Sequence, residues 1–216
     1  MKIDLNTAKN LTRGQLDAIL IRLAEQTGNV NVEVATNSFL RGDFTLTEIN
    51  KGYTVREDGL IILTVTSHGH NGHEQQKFLK ENGHVVTDYA SEILNHGDFT
   101  TTQEGEKIQI GILTQKMIGD LDWTPRNARR KMEELGGKTP SHDIGGLLRE
   151  NLSDSQIESM GLWGIATLSE PVKDSDGNLL ALGPSRGGDS RLDGWGVRPG
   201  GQYFSDSGFS FVLPQQ

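Results

Sequence analysis

Three of the six histidines lie within six positions, in the segment Ser67-His68-Gly69-His70-Asn71-Gly72-His73-Glu74. Imidazole nitrogens and carboxylate oxygens bind zinc and other divalent ions. The candidate metal ligands are therefore His68, His70, His73 and Glu74, with zinc or calcium as the ion. The alternative is an exposed loop with solvated histidines, because the spacing matches no established zinc hydrolase signature and glycines interrupt the segment.

Other catalytic chemistry has little support in the sequence. The chain contains no cysteine, which excludes disulfides, thiolate metal sites and thiol nucleophiles. No linear motif indicates a Ser-His-Asp triad, a phosphate-binding loop or a dinucleotide-binding turn. The segment from Asp174 to Asn178 has the composition of a calcium loop, but its glycine comes one position too early for an EF-hand, which favours a hairpin turn.

A tandem repeat organises the first half of the chain. Residues 28–47 align without a gap on residues 83–102, at an offset of 55, and both copies contain Gly-Asp-Phe-Thr. The apolar spacing predicts a helix over about 13–27 before the first copy and another over about 73–82 before the second. A short helix starting near Thr87, a turn that buries one aromatic ring, and strands over 60–66 and 108–114 complete the predicted units.

Two further interpretations of the repeat are weaker. The tripeptide Arg41-Gly42-Asp43 matches integrin ligands, but the second copy replaces the arginine with His96 and keeps the glycine and aspartate, which favours turn chemistry. The predicted order of a helix, a turn at Gly28 and a second helix also resembles a DNA-binding helix-turn-helix. The candidate recognition helix over 31–40 carries no basic residue, although phosphate contacts need Lys or Arg.

Beyond residue 111 a new series of motifs begins. Thr124-Pro125 opens a predicted helix that ends at a double glycine, a second helix covers about 143–150, and Ser153 with Gln156 forms a capping box for a third that ends at Gly161. Trp163 comes next, in the segment Leu162 to Leu168. The remaining motifs are Lys138-Thr139-Pro140-Ser141, Arg186-Gly187-Gly188, Arg198 and Gly208-Phe209-Ser210-Phe211-Val212.

This order resembles the formylglycine-generating enzyme (sulfatase-modifying factor) family, a branch of the C-type lectin-like fold. In that family the Arg-Gly-Gly motif lies on a strand, followed by Ser-Trp, whereas this chain has Asp189-Ser190. The oxidase members depend on cysteines, so their oxidation chemistry is unavailable to this chain. The resemblance implies a loop-rich scaffold for recognition, in a compact form similar to phage or prophage proteins. Loop residues with anchoring side chains are the candidate ligand or partner contacts: Asp193, Trp195, Arg198, Gln202 and Tyr203.

Composition limits the partners and the location. The net charge of −8 disfavours nucleic acid. No apolar run is long enough for a membrane span and no secretory signal is present, so the protein is expected in a cytoplasm, that of the host if it is phage-encoded, or in a virion. The oligomeric state does not follow from the sequence.

The sequence thus predicts an α+β protein. An N-terminal tandem helix-turn-helix-strand repeat occupies residues 1–110, with copies at about 12–66 and 73–114, and a compact C-type lectin-like domain occupies 111–216. We expect a non-enzymatic recognition protein that binds a host protein or a small ligand through C-terminal loops. The alternatives are a metal-dependent hydrolase using the histidine cluster and a nucleic-acid-binding protein using the repeats.

Overall fold

The computed structural model describes residues 52–119 and 123–214. They belong to a compact unit, Lys51–Gln216, which is separate from a unit at Met1–Asn50. No helix in the described part of the chain combines the length and apolar character that crossing a membrane requires. The predicted helix over 13–27, the first repeat copy at 28–47 and the Arg41-Gly42-Asp43 tripeptide lie outside the described residues.

In the part of the chain that the structure describes, nine strands form one mixed sheet, in the order β1-β2-β4-β9-β5-β7-β8-β3, with β6 paired to β7. The pairs β5 with β9 and β3 with β8 are parallel, and the others are antiparallel. The strands are β1 (Tyr53–Val55), β2 (Ile61–Thr66), β3 (Val85–Val86), β4 (Lys107–Leu113), β5 (Gly164–Thr167), β6 (Val172–Lys173), β7 (Leu179–Ser185), β8 (Arg191–Gly196) and β9 (Ser207–Val212).

The helices within residues 52–119 and 123–214 are α1 (Gly72–Glu81), α2 (Asp88–Leu94), α3 (Pro125–Glu134), α4 (Ile144–Asn151) and α5 (Asp154–Ser159), with a 3₁₀ turn at Gln115–Met117. Local side chains fix their starts. Asn71 and Glu74 form a capping box before α1, and Ser153 and Gln156 form one before α5. The Thr87 hydroxyl caps α2. These caps satisfy backbone N–H groups that have no partner inside the helix.

Apolar side chains that point alternately to the two faces of the central strands bury both faces of the sheet. On β4, Ile108, Ile110 and Ile112 face one apolar cluster, which includes Leu148 of α4. Phe209 and Phe211 of β9 face a second cluster around Trp123. A third cluster, which includes Leu192 of β8, packs under α1 and α2. The second and third clusters lie next to the loops that follow β8.

The helices and strands predicted between residues 60 and 114 are confirmed. Helix α1 ends at Glu81, one residue before the predicted end at position 82. Gly83 then has a φ of +81°. Helix α2 starts after Thr87. The two predicted strands are β2 and β4, which pair directly. The Gly-Asp-Phe-Thr turn leaves Phe99 half-buried, with its ring centroid 5.7 Å from that of His142.

Two features differ from the sequence-based expectations. The predicted boundary between residues 110 and 111 falls inside β4, which hydrogen-bonds to β2 on one side and to β9 on the other. Strands from both predicted domains therefore share one sheet. The Arg-Gly-Gly motif lies on a strand in the family that the sequence resembles. In this chain Arg186-Gly187-Gly188 belongs to the loop between β7 and β8. Gly188 has a φ of +81° there, which is incompatible with an extended strand.

Helices α3, α4 and α5 confirm the three helices predicted for the C-terminal half. The predicted hairpin turn at residues 174–178 connects β6 to β7, with Gly177 at a φ of +83°. The mixed helix and strand content therefore agrees with the predicted class at the coarse level.

Candidate ligand-binding site

A cavity of about 750 Å³ opens beside β8 and the loop that follows it. Its volume is in the range of small-molecule sites. Three of the five predicted contact residues line it: Arg198, Gln202 and Tyr203. The other lining residues come from α2, the β6–β7 turn, β7, β8 and the loop: Tyr89, Asp174, Gly177, Asn178, Leu179, Leu180, Gly194, Gly196, Val197, Pro199 and Gly201.

Alternating glycines on β8 keep this cavity open. Successive residues of a strand point to opposite faces, so Gly194 and Gly196 share the face on which Leu192 is buried. A Cβ at Gly194 would come within 2.7 Å of the Cβ of Tyr89, whereas a Cβ at Gly196 would meet no atom within 4 Å. Gly194 thus allows the close approach of α2, and Gly196 leaves the cavity unfilled.

Backbone hydrogen bonds hold the loop after β8 against its neighbours. The N–H of Val197 donates to the carbonyl of Leu179 at 2.7 Å. The carbonyl of Pro199 accepts from the N–H of Arg126 at 3.1 Å. The N–H of Tyr203 donates to the carbonyl of Trp123 at 3.0 Å. Three separate segments therefore position this wall of the cavity before any ligand arrives.

Tyr203 joins the cavity to the core. Its hydroxyl donates to the carbonyl of Gly196 at 2.7 Å, and its ring centroid lies 4.7 Å from that of Phe209. Burial raises the pKa of the Tyr203 phenol above its ordinary value, because the charged phenolate would lose solvation. The ring is therefore an uncharged, pre-positioned surface in the cavity.

The cavity carries charges of both signs. Arg198 is exposed, and its guanidinium forms no ion pair with any residue from 52–119 or 123–214. Asp174 is occupied by its own turn, where it accepts from the N–H of Asn178 at 2.7 Å and from the side-chain amide at 3.0 Å. The hydrogen bond from the Asn178 side chain is the main cause that holds the pKa of Asp174 below its usual value. Arg198 is thus available to an anionic group.

The structure separates the other two predicted contacts from this cavity. Asp193 and Trp195 alternate with the glycines on β8 and lie on its opposite face. The Asp193 carboxylate accepts a hydrogen bond from the Ser185 hydroxyl. Trp195 donates from Nε1 to the carbonyl of Gly183 at 3.2 Å and packs against the second apolar cluster. Both side chains therefore contact β7 or the second apolar cluster and do not line the cavity.

The histidine cluster does not converge as predicted. His68 and His70 stack with ring centroids 5.3 Å apart, and the His68 centroid lies 5.4 Å from that of Phe78. His73 is exposed on α1, and the Glu74 carboxylate accepts the N–H of Asn71 in the capping box. Among the described residues, no three His, Asp or Glu side chains are arranged to hold a metal ion. Three of the four candidates, His68, His70 and Glu74, thus line one open cavity, and His73 does not line it.

The sequence reasoning missed Tyr89, because its spacing with Ile93 is typical of a buried position of the helix. Its ring is more than half exposed.

Comparisons of the chain with protein-family models, with curated proteins and with solved structures found no match.

Proposed function

We propose that the chain is a recognition protein that binds a small polar ligand with a negatively charged group in the cavity beside β8. The observation that carries this proposal is the convergence of Arg198, Gln202 and Tyr203 on one pre-formed cavity of about 750 Å³. Pre-organisation favours binding because little loop order has to be gained.

The chemistry of the walls indicates the ligand class. A guanidinium presents several N–H donors in a plane and pairs well with carboxylates and phosphates. The phenol rings of Tyr89 and Tyr203 offer apolar faces, and the Asn178 and Gln202 amides also line the cavity. A compact organic acid with a ring or polyol body fits this combination.

The proposal also includes the predicted relation to the formylglycine-generating enzyme and C-type lectin-like family, in a compact phage-type form. Its support is the order of motifs from Thr124-Pro125 to the closing Gly-Phe-Ser-Phe-Val strand, together with a recognition cavity built by loops. The cavity favours a small ligand over a host protein as the first binding partner to test.

A ligand-observed NMR screen tests the proposal with a panel of sugar acids, amino acids and small dicarboxylates. Two variants remove the site in different ways: Arg198→Ala removes the charge, and Gly196→Val fills the cavity with a side chain suited to a strand. We expect at least one acid to bind wild type and to bind Arg198→Ala about tenfold or more weakly, because a charge-assisted hydrogen bond contributes about 1.5–3 kcal/mol.

Arg130→Ala is the matched control, since Arg130 is an exposed arginine on α3 that does not line this cavity. It should bind like wild type. Equal binding by wild type and Gly196→Val would contradict the proposal, and so would a panel in which no acid binds.

A further inference from the structure

A second pair of chemistry-bearing residues lies at the other end of β8, away from the cavity. The parallel pairing of β3 with β8 brings His84 and Ser190 together, although they are 106 positions apart. The Nδ1 of His84 lies 2.9 Å from the Oγ of Ser190, and the N–H of Val85 donates to the Ser190 carbonyl at 3.3 Å. This is the separation at which an imidazole can take a hydroxyl proton.

The backbone of Ser190 is unusual. Its φ is +51°, and it is the only residue other than glycine with a positive φ within 52–119 and 123–214. A side chain in this region costs free energy that the surrounding structure must supply, and such positions concentrate at functional sites. Here the loop from β7 reverses direction, and the hydroxyl is held half-exposed beside the histidine.

The same loop offers backbone donors. The N–H groups of Gly187, Gly188 and Ser190 donate to no acceptor within the described parts of the chain. A Cβ at Gly187 would come within 2.3 Å of the Arg191 Nε, so the glycine leaves room for this guanidinium beside the loop. Free N–H groups beside a nucleophile are the donors that stabilise an oxyanion in acyl transfer.

The surroundings of His84 favour the neutral base. Burial lowers the pKa of His84, and the nearby positive charge of Arg149 lowers it further, against a hydrogen bond with the Ser190 backbone and the charge of Asp154, which both raise it. The uncharged ring can accept the Ser190 proton when Nε2 carries its own hydrogen. The imidazole and the hydroxyl therefore lie at proton-transfer distance, and burial favours the neutral ring.

We propose that Ser190 is the nucleophile and His84 the general base of a site that hydrolyses small carboxylic esters. The Ser190 Oγ forms a bond to the ester carbonyl carbon as its proton moves to Nδ1 of His84. The bond to the leaving oxygen then breaks, and the alcohol takes that proton. Water attacks the acyl-serine and gives a proton to Nδ1, the acyl bond to Oγ breaks, and Ser190 recovers the proton as the acid departs.

This activity goes beyond the proposed recognition function and uses none of its cavity residues. A fluorophosphonate probe tests it, because such probes phosphonylate activated serines whatever the acyl group. We expect one adduct per chain by intact mass, mapped to Ser190 by peptide analysis. Ser190→Gly should abolish the adduct and remain folded, because glycine relieves the strain at a φ of +51°.

His84→Gln tests the base, since an amide can accept a hydrogen bond but cannot take up the proton. Labelling and hydrolysis of p-nitrophenyl acetate should both slow about 100-fold. Ser175→Ala is the control, because Ser175 is an exposed serine whose hydroxyl lies 3.4 Å from the Glu92 carboxylate and near no histidine. Its labelling should equal that of wild type. An unlabelled wild type, an adduct that persists in Ser190→Gly, or an unchanged rate in His84→Gln would overturn the proposal.

Discussion

The Nε2 of His68 lies 3.3 Å from the Oε2 of Glu150, at the end of β2 nearest α4. The Glu150 side chain is only 7% exposed, and neither of its oxygens has a hydrogen-bond partner in the described part of the chain. Burial raises the pKa of Glu150 to about 7, and the negative charge of Asp143 contributes to this rise. The histidine segment therefore contacts a buried carboxyl group from α4, which no local sequence pattern indicates.

Stability should fall with pH because of this carboxyl group. Its ordinary pKa is 4.5, so between pH 4.5 and about 7 the folded chain holds a proton that the unfolded chain has lost. The stabilisation is complete below pH 4.5 and is lost as the pH rises through 7. Its full size is about 3 kcal/mol at most, since the pKa rises from 4.5 to about 7 and one pKa unit corresponds to about 1.4 kcal/mol.

Glu150→Gln should remove this dependence. Urea unfolding at pH 5, 6, 7 and 8 measures it as the difference in unfolding free energy between wild type and variant. We expect the variant to gain stability relative to wild type as the pH rises. Glu81→Gln is the control, because Glu81 is an exposed carboxylate on α1. A constant difference across the series would show that Glu150 titrates like an exposed carboxyl group.

Close strand contacts at glycine give a second prediction. A Cβ at Gly183 on β7 would lie 1.7 Å from the carbonyl oxygen of Ile165 on β5, and this backbone cannot move without disturbing the sheet. Gly183→Ala should lower the unfolding free energy by about 3 kcal/mol or more. Gly196→Ala, on the adjacent strand, should change it by less than about 1 kcal/mol, because nothing lies within 4 Å. Similar urea midpoints for the two variants would contradict the close approach of β5 and β7.

Local signals predicted much of the secondary structure. Ser153 with Gln156 and Thr124 with Pro125 predicted α5 and α3, because a helix start is specified by residues within one turn. The same applies to Thr87 and α2. These elements need no knowledge of the rest of the fold, so the sequence identified them to within a residue or two.

The positions of the candidate sites depend on contacts between distant residues, which a single sequence does not reveal. Arg198 and Tyr203 were predicted from residue type, but the register of β8 decides that Trp195 faces the other way. The pairing of His84 with Ser190 requires β3 to add to β8 across 106 positions. One signal was available for it: a serine directly after Gly187-Gly188-Asp189 is at a place where the chain must turn sharply.

Tyr203 gives a third prediction, on alkaline titration. Its hydroxyl donates to the Gly196 carbonyl, and burial keeps the pKa of the phenol above its ordinary value of 10. Tyr203→Phe should cost about 1 kcal/mol of unfolding free energy for the lost hydrogen bond. In the ultraviolet titration of phenolate, the variant should lose the component that appears at the highest pH. Loss of an early component in Tyr203→Phe would contradict the burial of this hydroxyl.

The last prediction concerns a buried arginine. Arg149 is 1% exposed, donates to Asp154 at 2.8 Å and also donates to the carbonyl of Leu152. Asp154→Ala should lower the unfolding free energy by about 3 kcal/mol, because it leaves the buried Arg149 charge without its carboxylate. It should be the more damaging of the two single changes. Arg149→Met should cost less, since it removes the buried charge itself and takes a donor away only from the carbonyls of Leu152 and Ser185.

A double-mutant cycle in urea separates the pair from the individual losses. Any contribution of Asp154 to the first turn of α5 appears in both backgrounds and cancels. The double variant should be more stable than the sum of the single losses implies by about 1 kcal/mol or more, because the substituted methionine leaves no charge for Asp154 to compensate. Strict additivity would mean that the two side chains do not stabilise each other.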